Sequence, residues 1–323
     1  MPGALVISLD FELHWGIRDH TTVDGYRDNL LGVREAIPAL LAEFDRRGIA
    51  CTWATVGMLM AESKKELLAT MPARAPRYGD RRMSPYQGLE DIGEDERSDP
   101  FHFAPSLVRR IVATPRQELG THTFSHFYML ENGPTLSDFD ADLDSARRIA
   151  ENFGVANKSI VFPRNQFTPE HLPVLRRHGI VAYRSNGRHW AYSARARETS
   201  LRRSFRLADT YAPLTGTRDV PWPTAHDGLV DVSASAFLRP AARRPNVLAR
   251  LRLRRLVASM KHAAETHRLF HVWWHPHNFG IRLRENMAFL GELLDAYDQL
   301  RRTRSFESLT MGEVASRALA LSS

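Results

Sequence analysis

The segment Ala4-Leu5-Val6-Ile7-Ser8-Leu9-Asp10-Phe11-Glu12 opens the chain with a short apolar run that ends in two acids. An apolar run of this length is typical of a strand buried in a parallel sheet. Because side chains alternate along a strand, Asp10 and Glu12 are expected on one face. Two carboxylates so placed repel each other unless a cation or a shared proton lies between them. The segment therefore predicts a buried strand with a cation- or proton-binding acid pair at its end.

Two later segments also place polar groups directly after an apolar run. His122-Thr123-Phe124-Ser125-His126 follows a strand predicted at 117–121, and His275-Pro276-His277 follows one predicted at 269–274. Two imidazoles four residues apart, together with a carboxylate, form a ligand set that suits zinc, cobalt, nickel or iron. A histidine at the end of a buried strand is a candidate general acid. The three segments predict a metal, a base and an acid, which together can hydrolyse an amide or ester.

Strand and helix patterns alternate along the chain. Predicted strands lie at 4–10, 49–56, 117–121, 159–162, 180–183, 229–234 and 269–274. Predicted helices lie at 30–47, 105–113, between Ser137 and Gly154, between Thr168 and Gly179, at 247–267, at 283–302 and after Thr310. This order predicts an α/β fold with a largely parallel sheet. Polar groups at several strand ends favour a (β/α) barrel, and a doubly wound sheet is the alternative.

Two regions interrupt the alternation. Residues 72–105 are rich in proline, glycine and charge, and we expect a long excursion there. Residues 185–245 are expected to be mostly irregular. Because neither an internal repeat nor a disordered linker is visible, we expect one catalytic domain over 1–323.

The composition narrows the classes of protein to consider. Cys51 is the only cysteine, so the chain cannot form an internal disulfide, and a reducing compartment is expected. Neither a signal peptide nor an apolar run of about 20 residues, as a membrane span needs, is visible in the sequence. We therefore expect a cytoplasmic protein. The absence of a Gly-x-Gly-x-x-Gly motif or a P-loop in the sequence argues against dinucleotide and nucleoside-triphosphate sites.

The positive charge of the chain, +7 at pH 7, is unevenly distributed. Two arginine clusters comprise Arg195, Arg197, Arg202, Arg203 and Arg206, and then Arg239, Arg243, Arg244, Arg250, Arg252, Arg254 and Arg255. Such clusters attract phosphates, anionic lipid headgroups or nucleic acid. The simpler interpretation is a core-packed helix with a basic outer side, because Ala249, Leu253, Leu256, Val257 and Met260 form an apolar stripe. Nucleic-acid binding is not expected, since no nucleic-acid-binding motif is present in the sequence.

The order of the motifs resembles the polysaccharide deacetylase family, the NodB-homology carbohydrate esterases, over roughly the whole chain. Ser8-Leu9-Asp10-Phe11-Glu12 parallels the family's Thr-Phe-Asp-Asp motif, with the second acid displaced by one residue. The resemblance implies Asp10 as catalytic base and Glu12 as metal ligand, although Asp10 could be the ligand instead. The family's His-Ser/Thr-x-x-His motif is matched in full, which implies His122 and His126 as metal ligands.

The remaining family motifs are matched more loosely. Pro163-Arg164-Asn165-Gln166 stands where the family has Arg-x-Pro-Tyr-Gly, which implies Arg164 as the partner that orients Asp10. Asp231 or Trp222 could replace the fourth motif, which supports the catalytic histidine. Val272-Trp273-Trp274-His275 resembles the last motif, Leu-x-Leu-His, and implies His275 as general acid.

The resemblance implies a distorted (β/α) barrel hydrolase that uses a divalent metal, zinc above all. The expected reaction removes an acetyl or formyl group from an amino sugar of a bacterial surface-polysaccharide precursor, carried on a nucleotide or a lipid. Hydrolysis of a non-sugar C–N bond, as in a cyclic imide or formamide, and non-catalytic glycan binding are the alternatives. Side chains near the motifs are expected to contact the substrate, namely His14, Trp15, Asn165, Trp274, His277 and Asn278. The oligomeric state is left open.

Overall fold

A computed structural model describes residues 1–186, 199–211, 214–241 and 247–322, with Arg203 described by its backbone alone. Four arginines of the predicted basic clusters lie outside the described residues: Arg195, Arg197, Arg243 and Arg244. In the described part of the chain, no helix combines the length and the apolar character that a membrane span requires.

The described residues form strands and helices in alternation. The strands are β1 (Ala4–Phe11), β2 (Cys51–Thr55), β3 (Gln117–Thr121), β4 (Ser159–Val161), β5 (Ala182–Arg184), β6 (Ala225–His226), β7 (Leu229–Asp231), β8 (Ala236–Phe237), β9 (Leu269–Trp274) and β10 (Glu307–Leu309). The helices are α1 (Arg27–Arg47), α2 (Lys64–Thr70), α3 (Pro105–Ala113), α4 (Leu136–Glu151), α5 (Leu172–Arg177), α6 (Ser200–Tyr211), α7 (Val247–Glu265), α8 (Leu283–Arg304) and α9 (Met311–Ala320).

The strands form one sheet in the order β6-β7-β5-β4-β3-β2-β1-β9-β8, with β10 also paired to β1. All pairs are parallel except β6 with β7. All eight residues of β1 are buried, as expected for a central strand with both faces covered. This architecture confirms the predicted α/β class, and it is consistent with a distorted (β/α) barrel.

The strand register brings the predicted motifs to one level. Leu9 pairs with Trp274, so the next residues, Asp10 and His275, lie side by side. Phe11 pairs with Thr55, and Thr55 pairs with Thr121, so Glu12 and His122 also emerge together. We call this end of the sheet, where β1, β3 and β9 finish, the site end.

Helix boundaries follow local chemistry. Helix α1 buries one apolar face and ends at Gly48, whose φ of 64° is the left-handed conformation that glycine adopts without strain. Helix α4 begins two residues earlier than Ser137 suggested, because Thr135 and Asp138 form a reciprocal capping box. Thr310 caps α9 in the same way, as predicted.

The least regular parts of the sequence differ most from expectation. Residues 72–104 hold only a short 3-10 helix at Arg81–Met83 within the described chain, which confirms the predicted excursion. The region 185–245, expected to be irregular beyond one strand, also contains α6, β6 and β8. Helix α7 differs as well, because Arg252 and Arg255 are buried rather than on its outer side.

Candidate metal and catalytic site

Three buried side chains converge at the site end, as the spacing of the sequence motifs predicts. The Glu12 Oε2 atom lies 3.4 Å from Nε2 of His122 and 3.2 Å from Nε2 of His126. One ligand atom from each of the three residues lies within 4.8 Å of the other two. Two nitrogens and one carboxylate oxygen form a donor set that suits zinc and similar divalent ions.

The protonation states of these side chains fit metal binding. The Nδ1 atom of His122 lies 2.7 Å from the carbonyl oxygen of Val161, so an Nδ1–H donor leaves Nε2 unprotonated towards Glu12. Burial lowers the pKa of His126 to about 4, although Glu12 acts in the opposite direction. Burial raises the pKa of Glu12, but the neighbouring His275, His122 and His126 side chains bring it well below its ordinary value. A neutral His126 ring therefore faces an ionised Glu12 carboxylate, and these are the states in which the two groups bind a metal ion.

Hydrogen bonds to Asp142 on α4 hold the loop that carries the two histidines. This fully buried carboxylate accepts hydrogen bonds from the backbone N–H of Phe124 at 2.7 Å and of Ser125 at 3.2 Å, and from the Ser125 hydroxyl. Thr123 and His126 have positive φ values of 65° and 55°, which side chains other than glycine rarely adopt. The sequence reasoning missed Asp142, because nothing in the pattern of α4 sets it apart from the helix's other acids.

Asp10 is held by Arg184, and the expected partner Arg164 is wrong. The guanidinium of Arg184 donates to both oxygens of Asp10, at 2.8 and 2.7 Å. Its Nε–H donates to Asn165 Oδ1 at 3.0 Å, and Nη1 also donates to Ser8 Oγ at 2.9 Å. Arg184 is fully buried and lies over the ring of Trp273, 4.2 Å from its centroid. Since Arg184 is the last residue of β5, the strand-end rule that found the other residues applies to it as well.

Arg164 lies in a different ionic cluster. It donates to Asp19 and, at 3.1 Å, to Glu131, and it covers the ring of Tyr128 at 4.1 Å. The 3-10 turn at Pro163–Asn165 accounts for the difference, because a left-handed φ of 57° at Arg164 directs the chain away from a strand geometry. Asn165, which was expected to contact substrate, instead accepts the Arg184 hydrogen bond.

The ionisation of Asp10 follows from these contacts. Burial raises the pKa of Asp10, but Arg184, His122 and His275 lower it below its ordinary value. A second row of hydrogen bonds supports Arg184, since Ser8 Oγ also lies 2.8 Å from Nε2 of His271. Asp10 is therefore an ionised, oriented carboxylate beside the candidate metal ligands.

His275 lies close to both acids. Its Nε2 atom is 3.5 Å from Glu12 Oε1 and 3.8 Å from Asp10 Oδ2. Its side chain is 23% exposed, whereas the two carboxylate side chains are 4% exposed. The ring of His277 stacks on it, with centroids 4.9 Å apart. His275 therefore offers a route from the buried acids towards solvent or a bound substrate.

The residues suggested in place of the fourth motif have other partners. Asp231 accepts hydrogen bonds from the backbone and hydroxyl of Ser185, at 3.2 and 2.7 Å. Trp222 donates to the carbonyl of Pro2 at 3.0 Å. The carboxylates beside His275 are those of Asp10 and Glu12.

The other expected substrate contacts fall into two groups. His14 and Trp15 contact His102 of the excursion, through His14 Nδ1 at 3.0 Å and through the Trp15 indole N–H at 2.8 Å. Trp274 is fully buried and stacks on Phe279, so it belongs to the core rather than to a substrate surface.

His277 and Asn278 form the second group and remain candidates for substrate contact. Burial lowers the pKa of His277 to about 3, so its ring is neutral. The Oδ1 atom of Asn278 is buried and has no hydrogen-bond partner among the described residues.

Comparison with known proteins places the chain in a family. Residues 24–183 match the family model described as polysaccharide deacetylase. That span includes His122 and His126, whereas Asp10, Glu12 and His275 lie outside it. A search of curated proteins gives no match.

Solved structures share the fold at low sequence identity. A Mycobacterium smegmatis protein named as a polysaccharide deacetylase has a TM-score of 0.63 at 14% identity, covering 99% of this chain and 91% of its own. A GH57 branching enzyme from Thermococcus kodakaraensis has a TM-score of 0.57 at 14% identity, covering 100% and 72%. The alpha-amylase AmyC from Thermotoga maritima has a TM-score of 0.53 at 11% identity, covering 98% and 75%. At these identities the likeness concerns the fold alone, and it is the family match, together with that fold, that shows the chain to belong to the polysaccharide deacetylase family.

Proposed function

We propose that this chain is a divalent-metal hydrolase that removes an acetyl or formyl group from an amino sugar. The observation that carries the proposal is the convergence of Glu12, His122 and His126 beside the Asp10–Arg184 pair and His275. The donor set suits zinc in the first place. When bound, such an ion polarises an acyl carbonyl and makes water easier to deprotonate.

Each protein group then has a defined task. Glu12, His122 and His126 would hold the ion, since Glu12 faces both imidazoles while Asp10 is committed to Arg184. Asp10 accepts the proton of the attacking water, because Arg184 keeps it ionised and fixes its orientation.

His275 donates a proton from Nε2 to the departing amine nitrogen. Its position supports this role, because it reaches the buried acids on one side and is partly exposed on the other. Arg184 and Asn165 act on the reaction through Asp10, and so they are positioning residues.

The substrate class comes from the family, whose members deacetylate sugars. A precursor of a bacterial surface polysaccharide, carried on a nucleotide or a lipid, is the proposed substrate. The location of the protein in the cytoplasm, which we expect from the single cysteine, stays a prediction.

The test is release of acyl groups by zinc-reconstituted protein. Acetate and formate are measured with N-acetyl and N-formyl amino sugars, free and nucleotide-linked. Wild type should release one of the two acids, and His126→Ala should release neither. His178→Ala is the matched control and should stay active, because His178 pairs with Asp140 on the surface of α4. Turnover of a cyclic imide or a simple formamide with no turnover of any sugar would replace the sugar substrate by the non-sugar alternative.

A further inference from the structure

The exposed apolar side chains of the protein are concentrated in one part of the chain. Of eleven large hydrophobic residues that are exposed in the described chain, six lie between residues 201 and 251. Three of them occupy the start of α7, where Val247 is 70% exposed, Leu248 49% and Leu251 38%. Exposed apolar residues are ordinary when scattered singly, but a cluster indicates a surface for interaction.

The same helix start is strongly basic. Arg250 and Arg254 are exposed between and beyond the aliphatic residues. We call Val247, Leu248, Arg250, Leu251 and Arg254 the rim patch. The sequence from 232 to 264 contains no aspartate or glutamate. The positive charge of the rim patch is therefore not neutralised by acids of its own segment.

The rim patch lies at the site end. Helix α7 finishes just before β9 begins and packs against that strand, so its start lies towards the end of β9, where His275 follows. The contacts agree, since Arg252 in the first turns of α7 donates to the carbonyl of Pro240 at 3.1 Å. The next residue, Ala241, donates to Asn286, whose side-chain nitrogen lies 3.3 Å from the carbonyl of Asn278.

We propose that the rim patch docks the protein on an anionic membrane surface, with the site end facing the bilayer. Aliphatic side chains at a helix surface insert at the boundary between headgroups and acyl chains, while arginines beside them bind lipid phosphates. Arginine suits this arrangement, because its apolar stem packs along the aliphatic groups while its guanidinium stays at the headgroups.

A second copy of the chain is a poorer occupant of the same surface. In a symmetric pair the rim patch would meet itself, and Arg250 and Arg254 would face their own counterparts with no acid from the segment between them. An anionic bilayer supplies the missing negative charge. The docking goes beyond the proposed reaction and is measured without turnover, so the two can fail independently.

Co-sedimentation of the full chain with lipid vesicles tests the proposal. Vesicles of phosphatidylglycerol with phosphatidylcholine are compared with vesicles of phosphatidylcholine alone, at low ionic strength. Wild type should bind the anionic vesicles and leave the neutral ones largely unbound, and added salt should weaken binding, because exposed charges are screened. Failure of wild type to bind anionic vesicles would overturn the proposal.

Variants separate the rim patch from general hydrophobicity. Val247→Gln, Leu248→Gln and Leu251→Gln together should weaken binding at least about tenfold, because the aliphatic anchor is removed. The matched control changes three exposed aliphatic residues of other helices, Leu68, Val112 and Leu136, to glutamine, and it should bind like wild type. Equal losses in the two triple variants would overturn the assignment to the rim patch.

The charge is tested by a second pair of variants. Arg250→Gln with Arg254→Gln should weaken binding to anionic vesicles by roughly 25-fold, at about fivefold for each basic residue near such a surface. Arg110→Gln with Arg302→Gln is the control, since both arginines are exposed elsewhere. If the rim patch variants instead abolish a monomer–dimer equilibrium in sedimentation velocity and leave vesicle binding unchanged, the surface binds a second copy and the membrane proposal is wrong.

Discussion

Replacement of Arg184 by methionine is the change with the most clearly defined consequences. Arg184 is fully buried and donates two hydrogen bonds to Asp10, of 2.8 and 2.7 Å. Methionine fills similar space but leaves the Asp10 carboxylate buried without its cation. Loss of one partner of a buried ion pair typically costs about 3–5 kcal/mol of unfolding free energy. We expect a loss within that range.

The same variant should lose catalytic activity. Burial raises the pKa of Asp10 and Arg184 lowers it. Without Arg184 the pKa of Asp10 therefore rises, and the base is ionised less completely. We expect kcat to fall at least about 10²-fold, the lower end of what general acid–base groups contribute. Metal content should stay unchanged, because Arg184 does not contact Glu12, His122 or His126 through any hydrogen bond in the described structure.

Chemical denaturation and acyl release are measured on Arg184→Met, Asp10→Asn and the double variant. The double variant removes both charges, so it should be at least about 2 kcal/mol more stable than Arg184→Met, yet remain inactive. Arg164→Met is the comparison for activity and should keep it, because Arg164 pairs with Asp19 and Glu131 rather than with Asp10. Arg147→Met is the control for stability and should cost about 1 kcal/mol or less, because Arg147 and its partner Asp144 are 44% and 46% exposed. Wild-type stability and activity in Arg184→Met, with a large loss of activity in Arg164→Met, would refute the assignment of Arg184 to Asp10.

Four further predictions concern individual site residues. Glu12→Ala should lose the ion, whereas Asp10→Asn should keep it and lose at least about 10²-fold in activity; the opposite pattern in elemental analysis would exchange their roles. His275→Ala should keep the ion and lose far more kcat on an amide than on an activated ester, whose leaving group needs no proton; equal losses would make His275 structural. Asp142→Ala should weaken metal binding by about 10–100-fold and Asp142→Asn much less, because asparagine can still accept a backbone hydrogen bond; similar metal affinity in both variants would contradict this. Burial raises the pKa of Asp142 to about 7 despite its hydrogen bonds, so ionisation favours the unfolded chain. Wild type should therefore lose stability relative to Asp142→Asn as pH rises from about 4 to about 7 and change no further above it, and a flat difference in denaturation midpoints would contradict this.

The sequence predicts the centre of the fold well, because the central strands are buried on both faces. The apolar runs before Asp10, His122 and His275 predict β1, β3 and β9 within one or two residues. Each run ends where its polar group begins, so one pattern predicts both the strand and the position of the site residue. Short edge strands such as β8 have too few residues to show an alternating apolar and polar pattern, so the sequence does not predict them.

Site residues that form a recognisable motif are predicted from the sequence, whereas contacts that depend on tertiary packing are missed. Two histidines four residues apart are visible in sequence, whereas the partner of Asp10 depends on which strand end lies opposite it. Arg164 and Arg184 both follow apolar runs. Only the left-handed turn at Arg164 excludes that residue as the partner of Asp10. Asp142 acts through backbone groups of a loop, and a hydrogen bond of this kind has no sequence pattern.

Metal binding by Glu12, His122 and His126 is measured most directly by X-ray absorption on zinc-reconstituted, dialysed protein. We predict about one zinc ion per chain, with imidazole nitrogens and a carboxylate oxygen at about 2.0–2.2 Å. His126→Ala should lose the ion, and His178→Ala should retain it with an unchanged spectrum. Full zinc occupancy and an unchanged spectrum in His126→Ala would show that the ion is held elsewhere and that the central assignment is wrong.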